Sequence, residues 1–122
     1  MGDGFRELRV WQLAKELAVE IYRTTESGPL ARDFGLRDQL RRAAVSIPSN
    51  IAEGDERDTN KDSVRFLYIA KGSLAELRTQ LEIARDVGSL PAEAHAPLET
   101  KCAEVGRMLG ALIKARSATH HP

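Results

Sequence analysis

The chain has 122 residues, 42% hydrophobic and 30% charged, a mixture that can bury one core and that excludes a disordered polyelectrolyte. Its 18 basic residues balance 18 acidic ones, so no net field draws it toward nucleic acid or anionic lipid, and such binding needs a local patch. Cys102 is the single cysteine and excludes an intrachain disulfide; with no basic, apolar leader and no apolar run near ~20 residues, a soluble cytoplasmic protein without membrane contact is expected.

Apolar residues recur at helical period and Gly/Pro pairs fall between the periodic runs, so an all-α fold of four helices in one domain, 1–122, is predicted. The first helix spans about residues 5–25 and is closed by Ser27-Gly28-Pro29, followed by a short loop. Leu13, Leu17, Val10, Ile21, Ala14, Ala18, Trp11, Tyr22, Leu8 and Val19 occupy well over half of its circumference. A corner helix needs an apolar stripe only somewhat wider than ~100°, so the surplus around Trp11, Ala18 and Tyr22 predicts a second buried interface, between copies of the chain. The alternative is that Trp11 and Tyr22 cap the core edge with their polar atoms in water.

The second helix, about 34–55, carries Leu36, Leu40, Ala43, Ile47 and Ile51 on one side, and Pro48 inside it predicts a kink near the Ala44 carbonyl. Gln39, Arg42, Ser46, Asn50 and Glu53 form a polar stripe beside the apolar one. Arg37 and Arg41 share an outer face suited to phosphate, although Asp33 and Asp38 stand four residues before Arg37 and Arg42 as ordinary intrahelical partners. No aromatics are interleaved in this arginine run to stack bases.

Thr59 and Asp62 resemble a capping box opening the third helix, about 60–87, whose Leu67, Ala70, Leu74, Leu77, Leu81 and Ala84 make a seam spaced alternately three and four. Ser73, Glu76 and Gln80 run beside that seam and are expected to meet the second helix's polar stripe, with Arg42 to Glu76 as the preferred bridge. An interhelical network fixing register is favoured over a ligand site. Gly72 is expected to admit a neighbouring backbone, as are Gly106 and Gly110. The fourth helix, about 90–116, opens at Ser89-Leu90-Pro91, repeats the seam through Leu98, Cys102, Val105, Leu109 and Leu112, and gives way to a disordered tail from Ser117. Short connections make the four an antiparallel up-down-up-down four-helix bundle.

Catalytic chemistry is not legible. His95, His120 and His121 are far from Cys102 and from each other's faces, so no metal is expected, and Cys102 on an apolar seam reads as a small hydrophobe. Gly35 and Gly54 are isolated, so no phosphate loop or cofactor site is expected, and Glu53, Asp55, Glu56 and Asp58 read as a solvated turn. Arg42, Asn50, Glu53 and Glu76 lack a nucleophile or metal that would make them an active site, so the protein is read as no enzyme.

The run from Gly35-Leu36-Arg37-Asp38-Gln39-Leu40 through Ile47-Pro48-Ser49-Asn50-Ile51-Ala52-Glu53-Gly54, with Val10-Trp11-Gln12 and Gly72-Ser73-Leu74-Ala75-Glu76-Leu77, resembles the bacterial 23S rRNA intervening-sequence proteins, also called the S23 ribosomal protein family. The resemblance covers nearly the whole chain and extends to the accessory protein of diversity-generating retroelements. It implies a four-helix protomer assembling as a homopentamer, with no assigned activity. A ring-forming interaction or scaffold protein is therefore expected, with RNA, DNA or a protein as its partner; the alternative is a dedicated RNA- or DNA-binding protein.

Overall fold

Local backbone chemistry sets each helix boundary. The computed structural model describes residues 4–118. Leu8 is extended, at φ −71° and ψ 122°, and this splits the expected first helix into a 3-10 turn, Gly4–Glu7, and α1, Arg9–Thr24. Thr25 closes α1, its buried hydroxyl donating to the Ile21 carbonyl at 2.8 Å. Where a loop was expected, Pro29 at the first turn starts α2, Gly28–Arg32, because proline's fixed φ suits a helix start, and buried Leu30 holds this single turn to the core.

Asp33 then caps α3, Phe34–Asp55, its side chain accepting from the Leu36 amide at 3.1 Å. This helix runs through Pro48 without a break. Thr59 caps α4, Asn60–Asp86, by accepting from the Asp62 amide at 3.1 Å, as the sequence pattern predicts. Gly88, at φ 83°, ends α4: the Ser89 amide reaches back to the Ala84 carbonyl at 2.9 Å and the Gly88 amide to Arg85 at 3.0 Å, the paired bonds of a Schellman motif. The last helix, α5, spans Ala92–Ala118, so Ser117 is helical rather than the start of a tail. The rest of the expected tail, with His120 and His121, lies outside the described residues.

The described residues are helical with no strand, and α1 packs against α3 and α5, α3 against α4, and α4 against α5. Leu13, Leu17 and Ile21 of α1, Leu40, Ile47 and Ile51 of α3, and all six seam residues of α4 join one buried cluster. On α5 the seam ends at Ile113 instead of Leu112, which is only partly buried. Gly54 is a close approach between α3 and α4: a Cβ there would lie 3.0 Å from the Ser63 carbonyl oxygen. Gly106 of α5 comes close to α4 only through a Leu74 methyl, 3.3 Å from where its Cβ would be, a side chain and not the expected backbone, and Gly72 and Gly110 face open space and admit no neighbouring backbone.

Candidate functional site

The surplus apolar arc of α1 lines one groove. Trp11, Ala18, Val19 and Tyr22 form its α1 wall, and Val45, Pro48 and Ala52 form its α3 wall, around a space of about 620 Å³. The inner residues of α1 fill the core, so those ~100° further round face α3's flank instead. Ala18 is buried in the floor, Trp11 is half-buried with its ring 5.1 Å from Phe5 at 61°, and Tyr22 and Val19 remain 43% and 41% exposed. Lys15 lies over Trp11, 5.2 Å from the ring centre. All three residues assigned from the sequence to a second interface thus share one opening, which no other described residue fills.

The polar stripe of α3 meets α4 only in part. The Ser46 and Ser73 hydroxyls are 2.8 Å apart, and the Asn50 amide donates to the Ser46 carbonyl at 2.8 Å and its hydroxyl at 3.0 Å. The Gln80 amide donates weakly to Gln39 at 3.4 Å, leaving the buried Gln80 Oε1 unpaired among the described residues. The expected Arg42 to Glu76 bridge does not form; both line a cleft with Asp38, Gln39 and Gln80, and both side chains are exposed, where water competes for each charge. Glu53 turns away to Arg57 at 3.7 Å.

Arg37 and Arg41 are drawn into intramolecular contacts. Arg37 donates to Asp38 at 3.1 Å and to the Ala31 carbonyl at 3.3 Å, and lies 4.8 Å from the centre of the Phe34 ring. Asp33 is not its partner, being occupied as the α3 cap. Arg41 donates to the Thr25 hydroxyl at 2.8 Å and sits 4.4 Å from the centre of the Tyr22 ring. Aromatics therefore do accompany these arginines, Phe34 from the first turn of α3 and Tyr22 from α1, the latter brought across by packing.

Four ion pairs escape any reading of spacing, because their partners are far apart in sequence. Arg116 donates to Asp55 at 2.7 Å and Ser63 at 2.6 Å, so Asp55 belongs to a partly buried clamp and not to a solvated turn. The Arg78 Nε–H is shared between both Glu99 oxygens at 2.9 and 3.0 Å, a bifurcated charged hydrogen bond that raises the guanidinium's pKa. Lys101 reaches Glu20 at 3.2 Å and Glu16 at 3.7 Å. Cys102 is fully buried, and burial, with Glu99 nearby, pushes its thiol up to about 12. His95 is buried on the same α5 face as Cys102, because seven residues make nearly two whole turns, and stands ~10 Å from it along the axis. Among the described residues no three His, Cys, Asp or Glu side chains converge on a metal position, and no helix is long and apolar enough to cross a membrane.

These features define an all-helical protein with a polar seam between two of its helices and an apolar groove open at its surface. The model of the 23S rRNA-intervening sequence protein matches residues 6–111, and the chain belongs to that family. It is also similar to the crystal structure of a protein of unknown function from the S23 ribosomal protein family of Bacteroides thetaiotaomicron, at 24% identity and a TM-score of 0.79, over 86% of this chain and 98% of that one. At that identity the likeness establishes the fold alone. No curated protein matches the chain.

Proposed function

We propose that the chain is a non-enzymatic interaction or scaffold protein, cytoplasmic, that works as an assembly of identical copies joined through the α1/α3 groove. The groove itself carries this reading: it gathers Trp11, Val19, Tyr22 and Val45 into one apolar opening, where scattered single residues would need no explanation. The protomer is read as one domain, an antiparallel up-down-up-down four-helix bundle. Supporting that topology, Gln39, Ser46 and Gly54 of α3 meet Gln80, Ser73 and Ser63 of α4, and Arg78 and Ser63 meet Glu99 and Arg116 of α5. Five copies is the number implied by the resemblance noted in the sequence.

Val19→Glu tests the groove. Val19 is exposed in the protomer, so the variant folds, and its mass by light scattering falls to that of a single chain if the groove is a contact between copies. An unchanged mass rejects the groove.

A second reading, direct RNA or DNA binding, is favoured by Arg37 on Phe34 and Arg41 on Tyr22, which present paired guanidinium and aromatic planes at the surface. Fluorescence anisotropy with labelled RNA and single-stranded DNA at several salt concentrations decides it: a phosphate-driven complex weakens steeply with salt and is abolished by the Arg37→Glu, Arg41→Glu double variant. Binding absent at low salt rejects it.

A further inference from the structure

The groove lies on α1 and α3, and a second unusual surface lies on α4. Most apolar residues of α4 face the core, but Ile69 and Ile83, with Val87 at its C-cap, are 47%, 47% and 65% exposed. At ~100° per residue they fall on one outward stripe together with Gly72 and Glu76. Ile69 and Ile83 stand ~21 Å apart along the axis, and α1's wall from Trp11 to Tyr22 runs ~17 Å, so ridge and groove are of similar length. Gly72 leaves the middle of the ridge low, with nothing within 4 Å of where its Cβ would be.

The charges of Lys15 and Arg23 in the groove are opposite to that of Glu76 on the ridge, and none of the three is in an ion pair among the described residues. Glu76, in the middle of the ridge, is exposed and has no ion pair among the described residues. Lys15 and Arg23 sit in the groove lining one turn either side of Val19, with Glu26 beyond Arg23, so the lining is net positive, and neither cation forms an ion pair among the described residues. Groove against groove would oppose two linings that are each net positive. Ridge against ridge would oppose the two Glu76 carboxylates and leave the groove uncovered.

We propose that the α1/α3 groove of one copy receives the α4 ridge of another, with Ile69 and Ile83 on the apolar walls and Glu76 between Lys15 and Arg23. This rests on the reading of the groove as a contact between copies and names what fills it. Docking of unlike surfaces leaves one groove and one ridge open at the ends of a pair, and further addition with ring closure satisfies both.

Charge exchange and cross-linking test the docking. Glu76→Lys reduces the light-scattering mass at micromolar concentration to the 13.5 kDa of one chain, and adding Lys15→Glu with Arg23→Glu to that variant restores the assembly. All three positions are exposed, and far-ultraviolet circular dichroism confirms that each variant is folded. In parallel, Val19→Cys chains mixed with Ile83→Cys chains give covalent pairs with a short bismaleimide, while either chain alone does not; the native Cys102 is buried and does not compete. An assembly indifferent to Glu76→Lys, a triple variant that fails to reassemble, or cross-links within Val19→Cys chains alone overturns the docking. If Val19→Glu dissociates the assembly and Glu76→Lys does not, the groove remains a contact and the ridge is the wrong occupant. A wild-type chain of 13.5 kDa throughout overturns both.

Discussion

Arg41 on α3 lays its guanidinium over the Tyr22 ring of α1, 4.4 Å from the ring centre, and Tyr22 in turn lines the apolar groove. The same guanidinium donates to the buried Thr25 hydroxyl at 2.8 Å, so a residue that reads as an outer phosphate contact also latches the end of α1 to α3. Arg41→Ala removes a hydrogen bond and a cation–π contact together, with an expected cost of about 1 to 2 kcal/mol. For a chain of this size that lowers the thermal midpoint by about 3 to 8 °C. A midpoint that does not move means the latch contributes nothing.

Asp55 and Arg116 join the end of α3 to the end of α5 across 2.7 Å, at side-chain exposures of 18% and 20%. Breaking a charged hydrogen bond that is mostly shielded from water costs about 1 to 3 kcal/mol. Asp55→Ala and Arg116→Ala are each expected to lose that much in urea unfolding, and the double variant to lose less than the sum. Additive losses show the two groups acting independently.

Glycines in the same fold respond in opposite directions. Gly54→Ala places a methyl 3.0 Å from the Ser63 carbonyl oxygen and 3.2 Å from the Phe66 Cβ, so the gain in helix propensity is outweighed and the protein is destabilised by about 1 to 3 kcal/mol. Gly110→Ala meets nothing within 4 Å and stabilises by about 0.5 to 1 kcal/mol. Denaturant midpoints that shift in the same direction contradict the close approach at Gly54.

Cys102 is expected to make stability depend on alkaline pH. Its folded thiol is raised to about 12 from an ordinary 9.0, so the neutral form is favoured by folding; the contribution is intact below pH 9 and fades as pH rises toward 12, because the unfolded thiol ionises first. The stability difference between the wild type and Cys102→Ala therefore shifts against the wild type above pH 9, by at most about 1.4 kcal/mol per pH unit. Below pH 9 the difference is flat. A thiol-reactive disulfide reagent should label the folded chain far more slowly than the unfolded one, and equal rates place the thiol at the surface.

The heptad-like spacing from Leu67 to Ala84 made the α4 seam legible, because each of those side chains must be hidden and helical period places them together. Thr59 and Asp62 marked the start of α4 because capping is local chemistry. The apolar surplus of α1 was legible too, since Trp11, Ala18 and Tyr22 exceed what one core can take, but the facing wall of Val45, Pro48 and Ala52 was not, because it depends on how α1 packs on α3. The helical turn at Gly28–Arg32 was hidden by a Gly-Pro pair that reads equally well as a loop and as a helix start. Ion pairs such as Arg78 to Glu99 and Arg116 to Asp55 were not legible, because their meeting depends on tertiary register and leaves no spacing signal. Arg42 and Glu76 matched in type and helical position, yet both remain at the wet edge of the cleft, which pattern alone does not distinguish from its dry interior.

Light scattering on the purified wild-type chain at micromolar concentration tests most directly whether copies join through the α1/α3 groove. A mass of five chains, falling to 13.5 kDa in Val19→Glu, is the predicted result. A wild-type mass of 13.5 kDa, or an assembly untouched by Val19→Glu, contradicts it.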